Sequence, residues 1–471
     1  MNRVKFNFFD DYFIDFRPGT LRRWYSPEFH SLAPAGSYSS LCYDPQIGKY
    51  RIFYEKLIRF ADDGPRLLYL VESTDMKEFV PVSSDKGEDF IFDGESGVHG
   101  ASVILDEYEQ DPARRYKFCG MTRMGAKPAK GHANYPVVMA FSSDGINWEH
   151  RPDLVVHPHT SDTGNNLFYN PCTEEYNVLY RSAFVDRRVS VRTSKDLQNW
   201  SEPRLILHPG ASYNDDCWQT QYYSLGVQWY DGIFYGLLWK YRTSLQNQEF
   251  TKMFGVMDSE LIYSYDGSVF HHANNGRPLI ERPPAPNPGW AGLSAHEMCL
   301  SANGRDYYIL CTGSVFVHGT AESNQRLYDI LKASGITGGS PVYRIGKDRF
   351  CGLESVGNGG LVITKGLELM KDDLALNYNS ACGSVRCALM NIKGEFLEGF
   401  SFDDCVPMEF SDSVQAKPVW REAKLSSVLN RQLRIAVELN GATLHAIEAT
   451  ARPHIVQRQK SFSDPKGIDM D

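Results

Sequence analysis

Apolar residues in this chain come in short, aromatic-rich runs in which buried-type and polar positions alternate. Lys49-Tyr-Arg-Ile-Phe-Tyr54 and Tyr176-Asn-Val-Leu-Tyr180 are examples. Such alternation predicts half-buried β-strands. Each run follows a turn rich in Asp, Asn, Pro or Gly. Asp44-Pro45 precedes Tyr50, Asp111-Pro112 precedes Tyr116, Asn170-Pro171 precedes Tyr176, Asp231-Gly232 precedes Phe234, and Asn303-Gly304 precedes Tyr307. The leading rings are 66, 60, 58 and 73 residues apart. A second pattern, Ser-x-Asp-x-x-x-aromatic, interleaves with the first. Its copies are Ser73/Asp75/Phe79, Ser142/Asp144/Trp148, Ser194/Asp196/Trp200 and Ser264/Asp266/Phe270, with a worn copy at Asp348 and Phe350. Helical spacing is scarce, and 325–334 is its best short stretch.

The two patterns together define a unit of strand, turn, aromatic strand, loop, strand and Asp turn. In the Asp turn the carboxylate accepts backbone N–H groups, and the ring that follows packs across the seam between units. Five repeats of this length, each of about four antiparallel strands, predict a five-bladed β-propeller. From about Leu374 the spacing shortens, with segments at 383–390, 394–400, 419–420, 432–439 and 442–447. That rhythm predicts a small C-terminal β-sandwich. The expected organisation is all-β: propeller over 1–368, sandwich over 369–451, and a polar tail over 452–471.

Composition narrows the function. The chain of 471 residues carries 26 Phe, 26 Tyr and 8 Trp, and a net charge of −9 without charge blocks. That argues against nucleic acid or an anionic membrane surface as a partner. No apolar stretch is long enough to span a bilayer, and the N-terminus has no apolar signal core. The ten Cys stand singly, with neither a C-x-x-C pair nor zinc spacing. The expectation is a cytoplasmic protein with free thiols, no resident metal and no cofactor. No Walker, Rossmann or nucleophile-elbow motif occurs.

The turn-led strands at Tyr43-Asp44-Pro45 and Tyr169-Asn170-Pro171, and the blade ends at Ser142–Trp148 and Ser194–Trp200, resemble those of furanosidase-type glycoside hydrolases. These are the family 32 β-fructosidases and the related family 43 arabinanases and xylosidases. The 394–402 and Val419-Trp420 segments are similar to their accessory sandwich. The resemblance implies a carbohydrate substrate and paired carboxylates in a central funnel. The catalytic signatures depart from both families. The fructosidases carry an Asp in a Trp-Met-Asn-Asp-Pro-like segment, whereas Gly36-Ser-Tyr-Ser-Ser-Leu-Cys-Tyr43 holds no carboxylate, and Arg-Asp-Pro and Glu-Cys segments are absent.

Funnel-facing residues are expected on inner strands at 37–43, 98–106, 162–169, 215–221 and 295–300. Glycoside hydrolysis needs two carboxyls flanking the scissile bond. The candidates are Asp162, Asp215 (or its neighbour Asp216), Glu297 and Glu260. Each also has a plain structural reading, a turn for the Asp residues and an ion pair for the Glu residues. Glu297 or Glu260 is the expected acid, and Asp162 or Asp215 the base or nucleophile. His99, Arg181, Trp218, Gln219, Tyr222, Lys240, His296 and His318 are the expected substrate-binding residues. The rings left over from blade building are chiefly Tyr38, Trp218, Tyr222, Trp239 and Trp290. The expected activity is hydrolysis of a small furanosyl or related glycoside. The alternatives are an inverting glycoside phosphorylase and a non-catalytic carbohydrate-binding propeller.

Overall fold

The computed structural model describes residues 3–57, 66–85, 87–123, 135–181, 186–210, 220–243, 255–318, 329, 333, 338–357 and 359–454. The structure is all-β, as the alternation predicts. Of the stretch expected to be helical, only Asp329 and Ala333 are described, and both are helical. Among the described residues no helix is long and apolar enough to cross a membrane. Two compact units are present, one of residues 27–230 and 234–345, the other of 1–26, 231–233 and 346–471.

The larger unit consists of antiparallel sheets of four strands. The first holds Ser37–Asp44, Lys49–Leu57, Arg66–Ser73 and Val80–Val82. The second holds Val98–Leu105, Tyr116–Thr122, Val137–Ser142 and Glu149–His157. The third is Asn166–Asn170, Glu175–Arg181, Val189–Ser194 and Arg204–Leu207. The fourth is Thr220–Tyr230, Ile233–Thr243, Gly255–Ser264 and His271–His272. A fifth runs Gly292–Leu300, Asp306–Ser314 and Ser340–Gly346, and its outer strand is Glu28–Ala33 from the start of the unit. A single parallel pairing, Met257 with Gly292, joins the fourth and fifth.

The four Asp turns form as their residue types dictate. In one, Asp144 Oδ1 accepts the N–H groups of Ile146 and Asn147, both at 2.8 Å, while Ser142 Oγ accepts from Gly145 at 2.8 Å. The rings that follow sit in the seams. Trp148 packs with Phe53, Phe92 and Phe118 of the first two sheets, and Trp200 with the core of the second and third. Phe270 joins the third and fourth, and Phe79 the fifth and first.

The first strands of the sheets neighbour one another in a ring, and one polar side chain ties each to the next. Ser40 Oγ accepts from Val103 N–H at 2.9 Å, Ser102 Oγ from Leu167 at 3.1 Å, and Asn166 Oδ1 from Val227 at 2.9 Å. Gln228 Oε1 accepts from Met298 at 3.3 Å, and Glu297 Oε2 closes the circuit on Leu41 N–H at 2.7 Å. By its place in the pattern, the fourth tie belongs to residue 226. A side chain there is impossible, because a Cβ on Gly226 would lie 2.1 Å from the carbonyl oxygen of His296. Gln228, two residues on and facing the same way, supplies the tie instead.

The smaller unit pairs Arg3–Asn7 with Thr443–Pro453, Ile14–Phe16 with Gly360–Thr364, and Thr20–Trp24 with Cys351–Ser355. Ser384–Met390 pairs with Gln432–Asn440 over the buried Ala388, Met390 and Ala436. The boundary expected at 369 therefore lies at 346, and the first 26 residues belong to this unit. The aromatic period of the repeat carries no information about which sheet three short N-terminal strands will join. Residues 394–400, expected as a strand, contribute only a bridge from Met390 to Phe396, and Val419-Trp420 only one from Cys405 to Trp420. Asp348, the worn copy of the Asp turn, instead forms a wholly buried ion pair with Lys5 at 3.0 Å. Arg452 and Pro453 of the expected tail end the last strand, and 455–471 lie outside the described residues.

Candidate active site

A small cavity, partly open to solvent, lies among the first strands of the ring. Tyr38 and Trp239 line it with rings, Ser39, Ser40, Ser102 and Ser224 with hydroxyls, Asn165 and Asn166 with amides, and His296 and Glu297 with titratable groups. Three first strands shift register where they face it, at Ser37/Ser40, at the Cys119/Met121 pairing of the second sheet, and at Ala295/Glu297. Such irregularities re-aim side chains, so consecutive residues His296 and Glu297 both reach the cavity. Tyr38 has φ +46°, a left-handed conformation that is costly for a bulky residue and concentrates at functional sites.

The deep end is buried and neutral. Burial pushes the Glu297 carboxyl up to about 8, against the Leu41 N–H and Ser40 hydroxyl bonds that pull it down. It is therefore protonated at neutral pH. Burial lowers His296 to about 3, so its ring is neutral. His296 Nδ1 accepts from Ser39 N–H at 3.3 Å, leaving Nε2–H to donate to Thr312 Oγ1 at 2.6 Å. The Thr312 hydroxyl in turn donates to Gly36 O at 2.9 Å. The imidazole stands edge-on to Trp239, centroids 4.6 Å apart. The side-chain amide of Asn165 donates to Gly100 O at 3.0 Å, while its buried Oδ1 has no partner among the described residues.

The outer end is charged. His99 donates through Nε2 to Asp162 Oδ1 at 3.0 Å and through Nδ1 to Glu55 Oε2 at 3.2 Å. Burial lowers the His99 value, but the two carboxylates outweigh it and raise the ring above its usual range. Burial likewise works to raise Asp162, yet the His99 bond and then the charges of Arg181, His99 and Arg66 hold it at about 2. The Asp162 side chain is 60% exposed, so water screens these pairings. Glu55 also accepts Ala101 N–H at 2.6 Å, and the Arg66 guanidinium lies against the His99 ring. Arg181 reaches Asp162 Oδ2 at 3.5 Å and also bonds its carbonyl oxygen.

An aromatic stack connects the two ends. Tyr38 stacks on Trp239 at 6.0 Å and Trp239 on Tyr223 at 6.1 Å, while His99 stands edge-on to Tyr38 at 5.0 Å. Arg181 and Arg187 lie over Tyr223, and His318 stands edge-on to it at 5.5 Å.

The structure thus brings Asp162, His99, Arg181 and His318 together at one end, and His296 with Glu297 at the other. Asp162 precedes its strand, which begins at Asn166. Three expected residues lie elsewhere. Glu260 is fully buried in the third strand of the fourth sheet, with Lys240 Nζ at 3.1 Å and His272 Nδ1 at 2.7 Å. Neither Glu260 nor Lys240 lines the cavity, because both point into the sheet's interior ion pair. Tyr222 faces the core between the third and fourth sheets, and strand alternation gives the cavity-side place to Tyr223. Asp215, Asp216, Trp218 and Gln219 lie outside the described residues. Trp290 accepts from Arg282 through its carbonyl oxygen, away from the cavity lining. Sequence reasoning missed Glu55, Arg66 and Arg187. For Glu55 a signal existed: a carboxylate inside the strand Lys49–Leu57, where only an inward partner makes burial tolerable.

Neither a protein-family model nor a curated protein matches this chain. Solved structures do. A thermostable family-43 glycoside hydrolase is similar at 11% identity, covering 67% of this chain and 92% of its own, with TM-score 0.43. The family 32 β-fructofuranosidase BmSUC1 of Bombyx mori is similar at 12% identity, over 91% and 94% of the two chains, with TM-score 0.41. A structure titled for the GH130 family of mannoside phosphorylases, and the glycoside hydrolases in it that target β-1,2-mannosidic linkages in Candida mannan, is similar at 10% identity, over 72% and 93%, with TM-score 0.41. Families 32 and 43, which the blade motifs resemble, are thus both represented.

Proposed function

We propose that this chain is a glycoside hydrolase, a five-bladed β-propeller with a C-terminal β-sandwich, acting on a small furanosyl or related glycoside. One observation carries the reading. Two carboxyls are driven to opposite protonation states: Glu297, in the cavity wall, is protonated with its value near 8, and Asp162, linked to that wall through His99 and Tyr38, is ionised with its value near 2. Opposed pairs of this kind mark an acid and a base or nucleophile. Glu297 donates its proton to the departing glycosidic oxygen. Asp162, held ionised by His99 and Arg181, serves as base or nucleophile at the anomeric carbon. Tyr38 and Trp239 offer ring faces to the sugar, and Asn165 Oδ1 an acceptor for a hydroxyl. The tie that Glu297 makes to Leu41 is made elsewhere in the ring by Ser or Asn, so a tie alone does not require a carboxyl. The free thiols of Cys119, Cys299 and Cys311 fit the reducing cytoplasm that the sequence suggests.

Turnover of a panel of aryl furanosides and pyranosides tests the reading. Hydrolysis of one of them is expected. Tight binding without turnover of any would replace it with a non-catalytic carbohydrate-binding propeller. A second reading, inverting phosphorolysis, is favoured by the arginine pair over Tyr223. Turnover that requires phosphate would select it.

A further inference from the structure

We propose that Arg181 and Arg187 form an oxyanion-binding site at the outer end of the channel, taken by the carboxylate of an acidic sugar or by inorganic phosphate. The inference rests on the carbohydrate reading above and adds the charge of the bound species to it. The two guanidiniums lie over one ring, 4.8 and 5.2 Å from the Tyr223 centroid, and Arg187 is also 5.0 Å from that of Tyr241. Stacking fixes a planar guanidinium while leaving its N–H edge for a bidentate partner.

Arg181 already has Asp162. Arg187 has no carboxylate within ion-pair reach among the described residues. It donates to Gln221 Oε1 at 2.6 Å, and its buried Nε has no partner among them. Burial, and then repulsion from Arg181, pulls the Arg187 guanidinium below its usual value. Two neighbouring half-buried cations are expensive, and an anion shared between them offsets that cost. The local balance points the same way. Among the described residues, Arg66, Arg181 and Arg187 face the carboxyls of Glu55 and Asp162, with His99 bonded between those two. A neutral sugar hydroxyl requires none of this excess.

Calorimetric titration of the full chain at matched ionic strength tests the site, using inorganic phosphate, glucuronate and galacturonate, with glucose and galactose as neutral counterparts. At least one anion is expected to bind about tenfold or more tighter than the neutral sugars. Arg187→Met is expected to lose about tenfold or more for that anion alone. A uronate preference assigns the site to the substrate's carboxylate, and a phosphate preference to a free co-substrate. No anion binding above a chloride control overturns the proposal, as does an unchanged anion affinity in a folded Arg187→Met. If that variant fails to fold, the wild-type titration decides alone. Turnover of neutral glycosides without anion binding removes this inference only. Anion binding without glycoside turnover removes the hydrolase reading only.

Discussion

At the deep end of the channel a histidine and a carboxyl are both neutral, while at its outer end a histidine bonded to two carboxyls has its value raised. The residue types are the same. His296 is neutral because its partners are a backbone N–H and a threonine, and nothing compensates for burial. The His99 value is instead raised, because Glu55 and Asp162 sit on its two nitrogens. Glu297 accepts only neutral donors, whereas Asp162 has His99, Arg181 and Arg66 around it. Solvation and partners, not residue identity, divide the labour.

The sharpest way to break the comparison is to remove one titration from each end. Glu297→Gln keeps an acceptor for Leu41 N–H and should lower kcat by about 10²–10⁴-fold, and Asp162→Asn by a similar factor. A loss below tenfold in steady-state assays removes that residue from the mechanism. Glu260 supplies the contrast of a carboxyl spent on structure. Glu260→Leu removes the carboxylate of the buried Lys240 and should cost about 3–5 kcal/mol in denaturant unfolding, with kcat of the folded fraction unchanged. A selective loss of kcat would return Glu260 to the active site.

Varying pH sharpens the same contrast. The Glu297 carboxyl is held at about 8 against an ordinary 4.5, so the native state binds more protons than the unfolded chain between those values. Stability should therefore be full below about pH 4.5 and fall as pH rises towards 8, by on the order of a few kcal/mol. Glu297→Gln should flatten that slope in pH-dependent melting. Asp162 is depressed, so its smaller, screened contribution is present above about pH 4 and lost as pH falls to about 2. Activity should run flat through neutrality and decline above about pH 8 as the acid loses its proton. The smallest effect belongs to the ring itself. Ser102→Ala removes one tie and should cost about 1 kcal/mol of unfolding free energy.

Much of this was legible before any coordinates. Alternation gave the strands, and the four Ser-x-Asp turns form with the bonds their side chains allow. Asp162, Arg181 and His99 share one end of the site, and Glu297 is buried. The losses have physical causes. Tyr222 and Tyr223 differ by one residue of register, which flips the face and which local sequence does not fix. Glu260 and Lys240 alternate as an inward pair would, but the side of the sheet they occupy is set by packing. Glu55 lies on a second strand, Arg66 on a third and Arg187 on a connection, and the ring alone brings them to His99 and Tyr223. The three N-terminal strands carry no copy of the repeat, so no periodicity announced their pairing with 346–471.

The circuit of ties has a further meaning. A ring of repeated sheets is a symmetric object, and a site of acid catalysis must break that symmetry at one spoke. Here the break is a change of side chain at an equivalent position, Glu297 where other spokes carry Ser40, Ser102 or Asn166. The proposed acid therefore inherits its placement from the ring, through a backbone hydrogen bond made before any substrate arrives. The same substitution is open at the spokes that carry Ser or Asn and closed at Gly226, where a Cβ would meet the His296 carbonyl oxygen.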